Sequence, residues 1–181
     1  METFIEAREL VPFPAYAAER ERALDAILWD DLDAPVVDVV RSFNELPYLF
    51  TLQCCHGHFL TSPGQDEHDL APLPVGHSGA VRYRIAYVAF CVQDGEPGRA
   101  FLERAQRLPA LVDPAYVQFG SAGWFWDQWV DSYVLQVEPA AHRFKDQAAL
   151  SAGEALHTQR VRDRFFEELR GLLAGERRRI E

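Results

Sequence analysis

Apolar positions recur along this chain with two different periods, and the changes between them lay out its elements. From Ala15 to Leu32 the run AYAAERERALDAILWDDL sets Ala17, Leu24, Ile27, Leu28 and Leu32 three, four or seven residues apart, the stripe of an amphipathic helix. Asp33 then stands before Ala34 and Pro35 as a side-chain cap followed by a first-turn proline. It predicts a second helix with Val36, Val39, Val40 and Phe43 on one face, ending before Pro47. The segment YLFTLQC that follows is short, apolar and rich in aromatic and β-branched residues, as a buried strand is.

Residues 61–80, TSPGQDEHDLAPLPVGHSGA, hold three Pro, three Gly and little periodicity, and predict a flexible loop that acts as a flap. VRYRIAYVAFCV, residues 81–92, alternates at first, with Arg82 and Arg84 on one side, and then becomes apolar on both sides, which predicts the longest strand. After the turn DGEPG, RAFLERAQRL reads as a short helix with Phe101, Leu102, Ala105 and Leu108 inward. YVQFG and SYVLQVEP follow as two more strands, so strand, helix and strand suggest a crossover. From about Ser151 to Ala174 a closing helix carries Leu156, Val161, Phe165, Leu169 and Leu172 along one side, with Gly175 as its stop and RRRIE as a frayed tail. The expected fold is a mixed α/β (α+β) domain spanning residues 1–181, with a mainly β core, two N-terminal helices and a long C-terminal helix packed on it.

Composition narrows the classes of function. An apolar share of 48% with 12 Phe, 6 Tyr and 4 Trp in 181 residues is ample for one packed core. Against 28 acidic residues stand 18 basic ones, a net charge of −10, and such a surface repels polyanions unless its cations gather on one face. Nucleic acid is therefore a disfavoured partner. No apolar run approaches the roughly 18 residues of a membrane span, and METFIEAREL lacks an apolar signal core. A soluble, cytoplasmic protein is expected. Three cysteines cannot all pair within a chain, and the neighbours Cys54 and Cys55 are poorly placed to pair with each other, so reduced thiols are expected.

Reactive side chains concentrate in TLQCCHGHFL, at the C-terminal end of the first strand, where Cys54, Cys55, His56 and His58 lie within five positions. On a continuous strand Cys54, His56 and His58 share one face and make a candidate zinc set, with His68 or His77 from the flap as a fourth ligand. Equally, a cysteine activated by a nearby imidazole is a nucleophile, as Cys54 would be with His56 two positions along a strand; His56, His58 and Cys55 are candidate catalytic groups, with His56 or His58 as the base that removes a substrate proton. Packing alone also accounts for the cysteines, with the imidazoles flanking a glycine turn.

A second cluster, YVQFGSAGWFWDQWVDSY, sets Gly120, Ser121, Ala122 and Gly123 beside Trp124, Trp126 and Trp129. It reads as the wall of a small-molecule pocket in which the backbone approaches a flat ligand, or as core or oligomer-interface material. Asp127 and Asp131 read as solvated turn residues or as groups that orient a substrate. Arg82 and Arg84 read as an exposed strand face or as a clamp for a carboxylate or phosphate.

The order of these features, with NELPYLFTLQCCHGH leading into a long strand, a crossover helix, YVQFGSAG and a closing strand, resembles the wybutosine-synthesis tRNA methyltransferases over roughly residues 20–140. In that family a capped helix ending near an Asn leads into a strand that finishes in Cys-Ser-Gly-Arg. Here Cys55-His56-Gly57-His58 stands at that place. The resemblance implies a mixed α/β fold, S-adenosylmethionine as methyl donor and a modified guanosine of tRNA as acceptor; a relative that keeps the fold and changes its ligand would act on a small nucleotide-like molecule instead. Carried over by position, Thr51 and Cys55 to His58 fall in the pocket turn, and Gly120 to Gly123 in a second glycine-containing segment. Thr51, Gly57, Gly120, Ser121, Gly123 and Trp124 are then the expected cofactor contacts. The alternatives from other classes are a zinc protein or hydrolase built on Cys54, His56 and His58, and an interaction module using the Trp124–Trp129 surface.

Overall fold

The computed structural model describes residues 6–142 and 146–180. The strands are β1 (Leu49–Cys55), β2 (His58–Leu60), β3 (Val81–Arg84), β4 (Ala86–Val92), β5 (Val117–Ser121), β6 (Ser132–Val137) and β7 (Gln147–Leu150). The helices are α1 (Tyr16–Asp25), α2 (Val37–Asn44), α3 (Glu96–Ala105), α4 (Leu108–Val112) and α5 (Ala152–Ile180). The strands form two sheets, ordered β1-β4-β6-β5 and β2-β3-β7, with every pair antiparallel. The fold is the expected mixture of α and β. Among the described residues no helix is long and apolar enough to cross a membrane.

Side-chain alternation gives the larger sheet two dissimilar faces. Val88, Phe90 and Val92 of β4, with Tyr133, Leu135 and Val137 of β6, pack against Val36, Val39 and Phe43 at α2, Phe101 of α3, and Phe165, Phe166, Leu169 and Leu173 of α5. The other face carries smaller residues, Ala89 and Cys91, beneath Tyr16 of α1 and the aromatic turn after β5. Arg20 of α1 ties that side down by donating to the carbonyls of Asn44 and Leu49, which satisfies an acceptor left open at the end of α2. In the smaller sheet Phe59, Val81, Tyr83 and Leu150 share a second core with Ala155 of α5 and Leu73 of the 61–80 segment.

Several boundaries differ from the sequence reading for physical reasons. The first helix stops at Asp25 and a 3-10 turn, Trp29–Asp31, takes over, since Asp30 and Asp31 would face the negative end of a longer helix. Of its expected stripe Ala17 and Leu28 are exposed. The second helix keeps its stripe, with Val36, Val39, Val40 and Phe43 all buried, but it starts through a 3-10 turn, and the Asp33 side chain accepts no capping hydrogen bond from it. The predicted long strand breaks at Ile85, whose N–H donates to the Asp146 carbonyl. β3 and β4 therefore belong to different sheets. β4 and β5 run parallel on either side of β6 and are joined through α3 and α4, as the crossover reading expects. β7 was not anticipated.

α5 does not stop at Gly175. It continues to Ile180 because Glu176, only 1% exposed, is held by Arg104 at 2.7 Å, Arg179 at 3.0 Å and the Tyr48 hydroxyl at 2.9 Å. Such a set of partners offsets the cost of burying its charge.

Asp131 is likewise not a solvated turn residue. It is fully buried at φ 64°, its Oδ1 accepts the Val11 amide at 2.9 Å, and its Oδ2 has no hydrogen-bond partner. Burial, aided by the charge of Asp94 and opposed by the Val11 amide, pushes its carboxyl up to about 6. A carboxyl raised in the folded state contributes stability at low pH that is lost as pH climbs through its folded pKa. Unfolding free energy should therefore fall between about pH 4 and pH 6. Asp131→Asn keeps the Val11 bond and tolerates the left-handed backbone; it should flatten that slope and be about 1 kcal/mol more stable than the parent at pH 8, as read by urea denaturation across pH.

Candidate functional site

β1 ends at Cys55, and Gly57 reverses the chain at φ 88° before β2 begins at His58. A strand that continued would have put Cys54, His56 and His58 on one face. The glycine turn instead brings Cys55 and His58 together and sends their neighbours elsewhere. Cys54 pairs opposite Val88 and packs against the helix-side core, where burial, with lesser contributions from Cys55 and Asp33, pushes its thiol up to about 12. His56 stacks on Phe166 of α5 with ring centroids 5.1 Å apart. Burial, then the charge of Arg162, lowers it to about 4, and its Nδ1 has no hydrogen-bond partner.

The third member of the constellation is Asp33, read from the sequence as a helix cap. Its Oδ2 accepts the His56 backbone N–H at 2.7 Å and lies 3.2 Å from His58 Nε2. The ligand atoms of Asp33, Cys55 and His58 all lie within 4.8 Å of one another. Burial acts to raise the Asp33 carboxyl, but the bonds from His58 and the His56 amide, with their charges, outweigh it and leave it below the usual range. His58 is only 2% exposed. Its interactions with Asp33 and with the Cys55 thiol push it up to about 10, against the opposing effect of burial. In this pairing His58 holds its proton near neutrality, so it is a donor and a positive charge rather than the base that removes a substrate proton.

The 61–80 segment is irregular, as expected, but it is pinned. His58 Nδ1 lies 3.2 Å from the Asp69 carbonyl, Glu67 pairs with Arg82 and Arg84 at 3.0 and 3.6 Å, Leu73 is buried, and the Leu73 amide donates to Gln159. His68 comes to 6.1 Å from His58 between ring centroids, whereas His77 lies against Gly79. Arg82 and Arg84 are engaged with Glu67.

These residues open into a cavity of about 640 Å³ that also reaches the aromatic turn. Asp33, Cys55, His58 and His68 line one end, Trp124 and Phe125 another, and Tyr87 and Gln136 form the sheet floor between them. Asp31 and Asp146 add carboxylates at the wall, Arg84 a cation. Gln136 is fully buried. Its Nε2 donates to Glu138, while Oε1 has no hydrogen-bond partner.

The other expected contacts lie apart. Thr51 is held by both ends of the Asn44 amide, at 2.9 Å each, and lines a second cavity of about 600 Å³ that shares Asp31, Leu32, Gln53 and Cys54 with the first. Gly120 is a buried strand residue paired with Val134. Ser121 Oγ accepts the Arg8 amide at 2.8 Å, and the Gly123 amide closes a turn onto Ser121. Trp126 sits under Arg8, and Trp129 Nε1 donates to Glu19. Asp33, Gln136 and Tyr87 line the cavity without a local sequence signal that places them there; for the turn, the spacing of Cys55 and His58 around Gly57 is the signal.

No protein-family model matches the chain, and no curated protein matches it. Among solved structures, the chain is similar to the PH1069 protein from Pyrococcus horikoshii at 14% identity and a TM-score of 0.46, over 88% of this chain and 92% of that one. A likeness of that depth assigns neither fold nor function.

Gly57 is the pivot of the site, because a Cβ there would sit 2.8 Å from the Ala86 Cβ in addition to straining a φ of +88°. Gly57→Ala should cost about 2–4 kcal/mol of stability. Gly64→Ala, at φ +85° with nothing within 4 Å, should cost only about 1 kcal/mol. Chemical denaturation of the two variants separates crowding from backbone strain.

Proposed function

We propose that the chain binds a small, ring-bearing cation in the cavity between His58 and Trp124, that S-adenosylmethionine is this ligand, and that the protein transfers its methyl group to a small nucleotide-like acceptor. The observation that carries the reading is the lining of one cavity by two separate segments, the turn after β1 and the turn after β5. Its volume of about 640 Å³ lies in the range of small-ligand sites.

The chemistry of the lining fits the cofactor. Trp124, Phe125 and Tyr87 offer π faces to a purine ring or a sulfonium charge. The carboxylates of Asp31, Asp33 and Asp146 outnumber the cations Arg84 and His58 in the lining and so favour a cation, and the unpartnered Gln136 Oε1 is a buried acceptor suited to an amino group. The bound cofactor would supply the activated methyl group. The task of these side chains is then to hold donor and acceptor in line and to exclude water, which is where most of the advantage in such a transfer lies. A second cavity beside the first, sharing Gln53 and Cys54 with it, suits a reaction of two substrates. With a net charge of −10, a free nucleotide-like acceptor fits better than a polynucleotide.

Titration calorimetry tests this. S-adenosylmethionine should bind at micromolar concentration and raise the melting temperature, and more tightly than its uncharged thioether product. Trp124→Ala should weaken binding at least about tenfold, roughly 1.4 kcal/mol, with an unchanged circular dichroism spectrum. Absence of heat and of thermal stabilisation at millimolar ligand would sink the proposal.

A further inference from the structure

The geometry points to a site for one zinc-class divalent cation, held by Asp33, Cys55 and His58 at the end of the cavity with its fourth position facing the cavity. This goes beyond the ligand reading above and does not depend on it.

Among the described residues these three form a group whose donor atoms converge, all within 4.8 Å of one another. Zinc bonds of about 2.0–2.3 Å around a tetrahedron place donors about 3.3–3.8 Å apart. Closing on an ion thus requires a contraction of about 1 Å, shared between two side chains. One sulfur, one imidazole and one carboxylate favour zinc over the hard cations magnesium and calcium, which take oxygen donors.

The local architecture prepares each donor. Cys55 and His58 are separated by two residues, the spacing at which a turn wraps a metal ion, and Gly57 in its left-handed conformation makes that turn. The Gly57 amide donates to Cys55 Sγ at 3.4 Å and so fixes where the sulfur points. His58 Nδ1 faces the Asp69 carbonyl at 3.2 Å. A carbonyl only accepts, so Nδ1 carries a hydrogen, and Nε2 is the atom turned toward Asp33 and the ion position; the cation would take the place of the proton that Nε2 shares with Asp33 when no metal is bound. Asp33 is steadied by the His56 amide at 2.7 Å. Each donor thus has a backbone group orienting it, the arrangement that makes a ligand set selective.

The burial is graded in the same sense. His58 is sealed, Asp33 and Cys55 are half-buried, and all three line the cavity, so an ion has an entry path and its open position meets whatever occupies the cavity.

The test uses full-length protein stripped with chelator. After dialysis against zinc and then buffer, elemental analysis should give one equivalent, and cobalt(II) should give a thiolate-to-metal charge-transfer band. Cys55→Ser should abolish the band. Asp33→Asn and His58→Ala should each weaken zinc binding by more than about tenfold, since loss even of an outer-shell partner costs 10–100-fold. Cys54→Ser should keep both the band and the full equivalent. Because the variants at the turn risk misfolding, a second measurement uses the parent chain: zinc should protect Cys55 from iodoacetamide, read peptide by peptide, and leave Cys54 unchanged. Binding below about 0.1 equivalent overturns the proposal, since such sites are filled when zinc is offered. A band that survives Cys55→Ser or vanishes in Cys54→Ser, or equal Cys55 alkylation with and without zinc, overturns it as well. Calorimetry of the chelated protein with S-adenosylmethionine is read separately, so failure of either proposal is recognised without the other.

Discussion

One carboxylate ties the site together. Asp33 sits in the link between the 3-10 turn at Trp29 and α2, and its Oδ2 accepts both the His56 amide and a contact from the His58 ring. That places the linker against the turn between β1 and β2, which belong to different sheets. Beside this bridge, the two sheets are joined by the chain at Gly57 and Ile85, by the Tyr83 hydroxyl, which donates to the Val137 carbonyl and accepts the Ala86 amide, and by α5 behind them. A charged group whose hydrogen bonds are this specific costs desolvation, and in return fixes one geometry among many with equal packing.

The cavity itself follows from the unequal faces of the larger sheet. Large side chains from β4 and β6 point toward α2, α3 and α5 and fill that interior. The opposite face, with Ala89 at its centre, is too low to be filled by its own residues. Tyr16 and the aromatic turn cover parts of it, His68 of the 61–80 segment reaches its side, and Gln136 and Tyr87 line the space that remains. The unequal faces therefore leave the open space on one side of the sheet.

Much of this was legible in the sequence, and the misses share a cause. The stripe of Val36, Val39, Val40 and Phe43, the strand leading into Cys55, and the inward set of α3 are local patterns, and they appear where the periodicity puts them. Trp124 and the residues around His58 were expected to face one pocket, and both line it. Asp33 was not legible as a site residue because a carboxylate before a proline-led helix is also the signature of a cap, and only a contact 23 residues away decides between them. The break at Ile85 was hidden because apolar alternation looks the same whether a strand stays in one sheet or crosses to another. Gly57 was visible as a turn, but its sign of φ, and hence the exchange of Cys54 and His56 for Cys55, is a three-dimensional fact. Gly175 failed as a stop because Glu176 has partners from Tyr48 and Arg104, which no local window contains.

That last network bears on how the polypeptide acquires its shape while it is being made. The Glu176 bond to Tyr48 spans 128 residues and the one to Arg104 spans 72, and α5 contributes to both apolar cores, through Phe165 and Leu169 to one and Ala155 to the other. A nascent chain in which α5 has not yet been made, an interval on the order of seconds of ribosomal elongation, leaves each sheet with one side partly uncovered. Closure of both interiors thus waits on α5, which follows every strand in chain order.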